Sequence, residues 1–370
     1  MKKDWTYKKL GELTKIKTGK LDANASSEDG IYPFFTCSRE PLRISSYSYD
    51  CECVLVAGNG ELNVKYYSGK FDAYQRTYII EALPDSGIMT YYMYHFFNQY
   101  VETLRQKSIG GIIKYIKLGD LTNALIPIPP LSIQRSIVAE LDLLHSVIEK
   151  KQEQLRALDN LAQSLFYQMF GDPITNPMGW EIKKLGEVAK FINGDRGINY
   201  PSAKDFVNEG VPFINAGHLQ QGKVDFSSMN YITDTKFDKL HAGKITKNDI
   251  LFCLRGSLGK YAIVDFDQKG AIASSLVIIR SEKCVIPLYI CNYLKSEVVK
   301  EYIEKANNGS SQPNLSANSV SAFSLPLPPL SLQQSFAAKV SAIEEQKRSI
   351  SQSIKDVESL LAQRMDYYFG

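Results

Sequence analysis

The 370-residue sequence is 44% apolar and 22% charged with a net charge of +3, the balance of a folded globular chain that is too long for one ordinary core. The opening stretch MKKDWTYKKLGEL has no apolar leader and no run approaches 18 apolar residues, so a cytoplasmic chain without secretion signal or membrane span is expected. A charge of +3 is too small to announce a nucleic-acid partner by itself, and Cys37, Cys51, Cys53, Cys253, Cys284 and Cys291 follow no zinc spacing, so reduced thiols and no bound metal are expected.

In chain order, the first block opens at Trp5 with WTYKKLGELTKIKTG. The stretch 54–81, VLVAGNGELNVKYYSGKFDAYQRTYIIE, reads as strands joined by Gly/Asn turns, and a helical stretch follows near 88–105. GGIIKYI (110–116) then leads to IPIPPLSIQ at Ile126. Pro129 and Pro130 cannot lie inside a helix, and Ser132 is a good N-cap residue for the helix that starts there. That helix carries Ile137, Leu141, Leu144, Ile148, Lys151, Leu155, Leu158, Ala162, Leu165 and Met169 at alternating spacings of four and three. Such sustained spacing is a coiled-coil seam and demands a partner helix.

After FYQMFG, the stretch GDPITNPMGW is rich in Pro, Gly and Asn and reads as a linker. The second block then repeats the first: WEIKKLGEVAKFING from Trp180, strands in 250–280, a helical stretch near 286–306, GSSQPNL (309–315), and LPLPPLSLQ at Leu325. The second helix again has a 4-3 seam, Phe336, Val340, Ile343, Lys347, Ile350, Ile354, Val357, Leu361, Arg364 and Tyr368, and Ser331 with Gln334 forms a capping box. The copies are offset by 199 residues at the helices and 175 at the tryptophans, so 24 extra residues lie inside the second block. Pairing two helices of about 38 residues, each roughly 57 Å long, in antiparallel fashion would carry the blocks to opposite ends.

The middles differ but share a skeleton: Asn59-Gly60 answers Arg255-Gly256, Ala73–Ile80 answers Ala271–Ile278, and Lys114 and Tyr115 fall where Pro313 and Asn314 stand. One scaffold with different turn residues suits a protein reading two different things.

The half-repeats, the PLPPL motif before a long helix, the W-x-x-x-x-LGE start and the turns AGNG…YYSGKFDAYQRTY and FCLRGSLG together resemble the DNA-specificity subunit of type I restriction-modification systems, over essentially the whole chain. The resemblance implies an α+β architecture: two mixed α/β target-recognition domains (1–131 and 172–330) separated by a long antiparallel two-helix coiled coil of spacer helices (132–171 and 331–370), with a pseudo-twofold internal repeat. It implies a non-catalytic DNA reader, each domain taking one half of a bipartite double-stranded site, with the helices as ruler and as dock for modification (methyltransferase) subunits beside a restriction (motor-nuclease) subunit. S-adenosylmethionine, ATP and Mg2+ would belong to those partners, with no cofactor on this chain and no membrane. Duplexes are held by Lys and Arg on phosphates and read by Arg, Asn and Gln on base edges. The candidates are Lys65, Lys70, Tyr74, Gln75, Arg76, Lys114 and Tyr115 in the first block, and Arg255, Ser257, Lys260, Gln312 and Asn314 in the second. Arg196 and His218 are outside candidates, while Tyr66, Tyr67, Tyr78, His95 and His145 are expected to pack.

No methyltransferase motif is present, since the Pro-Pro pairs belong to the repeated punctuation, and no phosphate-binding G-x-x-x-x-G-K-[ST] loop occurs. Asp172 with Glu181-x-Lys183 imitates a nuclease site, but Thr6 and Lys8 hold the latter two places in the first copy, so a coincidence is expected. The alternative function is a coiled-coil adaptor with protein-binding end domains.

Overall fold

Each block begins by pinning the strand after its tryptophan to the strand before its long helix. Thr6–Lys9 pairs antiparallel with Leu125–Ile128, and Glu181–Lys184 pairs antiparallel with Ser324–Leu327. The computed structural model describes residues 5–110, 113–306 and 314–370.

The chain forms two compact units, residues 1–154 with 350–370 and residues 155–349. The first has a six-stranded sheet in the order Thr14–Thr18, Thr77–Ala82, Tyr49–Ala57, Val64–Ala73, Tyr32–Phe35, Leu42–Ile44. In the second, the order runs Ala189–Asn193, Leu276–Ser281, Ile250–Cys253, Tyr261–Ile263, Gly222–Val224, Leu219–Gln220. The first four strands match between units. Most of the second block's extra sequence falls between Asn193 and Ile250, where it builds the Leu219–Val224 hairpin and strands of a four-stranded sheet of Phe206–Val207, Tyr231–Ile232, Val211–Ile214 and Ala271–Ile272.

The expected helical stretches are present with one difference. Thr90–Lys107 is continuous, whereas its counterpart is two helices, Pro287–Leu294 and Glu297–Ala306. The break is local: both the hydroxyl and the amide of Ser296 donate to the Tyr293 carbonyl at 2.6 and 2.9 Å, closing the first helix.

The long helices run Leu131–Phe170 and Leu330–Phe369. All the seam positions expected from the 4-3 spacing are buried or half-buried, none exposed. In the first unit, Ile137 and Leu141 share a core with Met365, Tyr368 and Phe369, and the Arg364 guanidinium grips the Glu140 carboxylate. In the second unit, Phe166 and Phe170 pack on Phe336 with ring centroids 5.8 and 5.1 Å apart, and Lys347 donates to Asp159 at 2.7 Å. Early residues of one helix meet late residues of the other in both units: the helices pair antiparallel.

The expected caps are corrected. Ser132 and Ser331 lie inside the first turn and are exposed, and the Ser331–Gln334 capping box does not form. The first turns close on proline carbonyls: Ile133 and Gln134 amides donate to Pro130 at 2.8 and 3.0 Å, Leu332 and Gln333 amides to Pro329 at 3.0 and 3.2 Å. Anchoring falls to Gln134 and Gln333, both fully buried.

Candidate nucleic-acid interface

In the first unit three segments converge beyond the end of the strand Tyr49–Ala57. At its turn, Gly60 adopts φ +68°, a left-handed conformation that glycine takes without cost. The Gly58 amide donates to the Arg76 carbonyl at 2.8 Å, its carbonyl accepts from the Ile116 amide at 3.0 Å, and the Gly60 amide donates to the Lys114 carbonyl at 2.9 Å. Asn59 and Tyr115 form a β-bridge. These bonds bring Gln75, Arg76, Lys114 and Tyr115, all exposed, around one turn.

The second unit repeats the clip. Gly256 has φ +80°, the Leu254 amide donates to Ser275 at 2.8 Å, the Leu315 amide donates to Leu254 at 2.8 Å, and Arg255 bridges Asn314. Arg255 Nε also donates to Asn314 Oδ1 at 3.2 Å, which orients the guanidinium. Ser257 and Lys260 lie in the same turn, exposed, with the Lys260 amide donating to Ser257 at 3.3 Å. The two clips hold the same backbone and offer different side chains: amide and phenol in one, guanidinium and amide in the other.

Other candidates sit apart from the clips or beside them. Half-buried Lys65 donates to the Asn63 side chain, and burial lowers its pKa. Half-buried Tyr74 starts the Gln75–Arg76 turn, its amide donating to Phe35 at 2.9 Å. Lys70 lies further along its strand opposite Asp50, its ammonium 4.7 Å from the centre of the Tyr47 ring. Gln312 lies outside the described residues.

The tyrosines expected to pack do so: Tyr66 against Tyr91, Tyr67 against Phe35 and Phe71, and Tyr78 with its hydroxyl on the Ile116 carbonyl at 3.3 Å. His218 is buried, its Nδ1 accepting from the Asn215 amide at 3.1 Å and Nε2 lying 3.1 Å from the Ser228 carbonyl, a structural arrangement. Arg196 is exposed in the loop that Asp195 orders by accepting from the Gly197 and His241 amides at 2.7 Å each, and these bonds lower the Asp195 pKa. Asp172 caps its own turn at Ile174, Lys183 pairs with Glu181, and no metal-ligating cluster of three occurs among the described residues.

Sequence reasoning aligned Asn59 with Arg255 without counting it among the candidate contacts, and passed over the Cys37–Arg39 segment. The place of Asn59 opposite Tyr115 in the bridge makes it a candidate equal to Arg255. Cys37 is drawn in by tertiary bonds, its thiol 3.6 Å from the Arg76 carbonyl and its carbonyl accepting from Asn63 at 2.8 Å, which no local pattern announces.

The profile of the type I restriction modification DNA specificity domain matches residues 2–158 and again residues 177–359. The chain belongs to this family. The family match falls on both copies of the repeat. Among relatives, the specificity subunit of the Escherichia coli type I restriction enzyme EcoDI is 34% identical over 211 residues, covering 57% of this chain and 46% of that protein. The EcoBI specificity subunit of the same species is 21% identical over 305 residues, covering 76% of this chain and 64% of that one. The chain thus spans about half to two thirds of the length of these relatives. The fold is similar to that of the type I restriction-modification system S subunit from M. genitalium, with a TM-score of 0.63, 16% identity, and coverage of 99% of this chain and 96% of that one. Among the described residues, no helix is long and apolar enough to cross a membrane.

Proposed function

We propose that this family member is the sequence-specific DNA-binding subunit of a type I restriction-modification complex, its two units each reading one half of a bipartite duplex site. The observation that carries this reading is the duplicated clip, in which Asn59 and Tyr115 stand where the other copy has Arg255 and Asn314. Equal backbone and unequal base-reading groups are what two different half-sites require. Gln75, Arg76, Arg255 and Asn314 would meet base edges, while Lys65, Lys70, Lys114 and Lys260 would meet phosphates, with Tyr74, Tyr115 and Ser257 completing the surface.

In this reading the paired helices fix the half-site separation, and half-sites on one face of the duplex favour centres about 34 Å apart. The chain itself is a reader. Methyl transfer with S-adenosylmethionine falls to modification subunits docked on the helices, and ATP and Mg2+ to a restriction subunit. The family match over both blocks argues against the adaptor alternative. With a net charge of only +3, the isolated chain is expected to hold DNA weakly until modification subunits join it. Titrating the assembled methyltransferase with bipartite and scrambled duplexes at several salt concentrations tests this: specific binding that weakens steeply with salt supports it, and equal binding to both duplexes refutes it.

A further inference from the structure

The two units differ at one interior place. Tyr92 donates to the Pro127 carbonyl at 3.0 Å and Tyr289 to the Pro326 carbonyl at 2.6 Å, which aligns the helix Thr90–Lys107 with Pro287–Leu294 residue by residue. In the first unit, Tyr66, Tyr91, Tyr94 and His95 fill the space between this helix, the sheet and the long helices, with neighbouring ring centroids 4.6–6.2 Å apart. At the corresponding positions the second unit has Ile263, Leu288, Cys291 and Asn292, and Ala162 stands where the first unit has Leu361. Three phenol rings and an imidazole have become smaller side chains, and one phenol is gained, since Tyr261 stands where the first unit has Val64.

The space they would fill opens into a half-open cavity of about 280 Å³ in the second unit, whose apolar part is lined by Ala162, Tyr261, Ile263, Leu288 and Cys291 with Asn292, and whose lining also includes charged Asp159, Lys223, Asp265, Glu344 and Arg348. An apolar cavity of about 150 Å³ already admits benzene. Asn292 is 2% exposed, its Nδ2 donates to the Leu288 carbonyl at 2.8 Å, and its Oδ1 has no partner. A buried carbonyl oxygen left without a donor is costly. At the rim, Lys295 places its ammonium 5.9 Å from the Tyr261 ring centre.

We infer that this cavity is a binding site for a single-ring aromatic compound bearing an O–H or N–H donor, the phenol or arylamine class, whose donor satisfies Asn292 Oδ1. The ring takes the place that tyrosine rings hold in the first unit. Cys291 lines the site as a thiol, pushed up to about 12 by burial, so the complex is non-covalent. The site is separate from the clips and does not depend on the DNA-reading assignment.

The test is calorimetric titration of the full chain with phenol, aniline and benzene. One saturable site per chain is expected for phenol and aniline, with benzene weaker by about tenfold, the value of one hydrogen bond near 1.4 kcal/mol. Asn292→Leu should bring phenol down to the level of benzene. Cys291→Tyr, which restores the first unit's Tyr94, and Ala162→Leu, which restores its Leu361, should each abolish binding in protein whose circular dichroism is unchanged. Absence of a saturable site, benzene binding as well as phenol, or phenol binding that survives whichever filling variant folds would overturn the inference.

Discussion

Gln134 and Gln333, 199 residues apart, make the same three hydrogen bonds. The Oε1 of Gln134 accepts from the Met89 amide at 2.9 Å and its Nε2 donates to Gly87 and Pro129 at 2.7 and 2.9 Å. Gln333 accepts from Ile286 at 2.9 Å and donates to Cys284 and Pro328 at 3.3 and 2.8 Å. Each glutamine ties the start of a long helix to the segment that begins the recognition block's own helix.

Replacing either by leucine leaves one backbone amide and two carbonyls without these partners. Gln134→Leu should lower stability by about 2–4 kcal/mol, read in urea unfolding. Because the Gln333 contacts lie in the other compact unit, the two losses should add in the double variant. A change below about 0.5 kcal/mol would show that water replaces the side chain without cost.

The Arg364–Glu140 pair, joined by the Tyr368 hydroxyl on Glu140 at 2.6 Å, fixes the helix register in the first unit. Both side chains are about one third exposed, so Arg364→Met should cost only about 0.5–1.5 kcal/mol. Reversing one charge should cost more than removing it. Exchanging the charges (Glu140→Arg with Arg364→Glu) should recover much of the loss in thermal unfolding, and no recovery would deny that the pair specifies register.

Stability should fall on mild acidification. His95 is buried, its Nε2 lies 3.1 Å from Asp142, its Nδ1 has no partner, and burial lowers its pKa despite the carboxylate. The folded state therefore prefers neutral imidazole. Below the unfolded value near 6.5 the unfolded chain takes up the proton first, so this contribution is present at neutral pH and fades as pH drops toward the folded value, at up to about 1.4 kcal/mol per pH unit. His95→Asn, which copies Asn292, should flatten that segment of the stability–pH curve.

The two clips should be separable. Arg255→Ala should relax the preference at one half-site by about 1–3 kcal/mol and leave the other intact, and Gln75→Ala with Arg76→Ala should do the converse. Lys114→Ala or Lys260→Ala should weaken binding to all duplexes alike and reduce the salt slope by about one ion. Competition binding with half-site variants distinguishes these outcomes.

Much of this architecture was legible because it is periodic. The 4-3 spacing from Ile137 to Met169 and from Phe336 to Tyr368 marks the faces that bury. The shared skeleton of the two middles aligns Asn59 with Arg255, and the offset of 199 aligns Tyr115 with Asn314, the residues that form matching bridges. Single-residue decisions were not legible. Serine after a proline pair is a good cap by propensity, yet the first-turn amides close on the proline carbonyl and a buried glutamine does the anchoring. The break at Ser296 rests on local bonds from its hydroxyl and amide to Tyr293, and no sequence pattern announces the burial of Asn292. Charge gave little, since Lys65 and Lys70 are alike in sequence while one is half-buried on Asn63 and the other lies over Tyr47.

Single-molecule methylation sequencing of DNA modified by the assembled enzyme tests the central claim most directly. The account predicts one bipartite motif with a fixed gap. Four residues inserted into both long helices, about 6 Å of added length, should widen that gap by roughly two base pairs while both half-sites stay the same. A continuous motif, or a gap unchanged by the insertion, would contradict it.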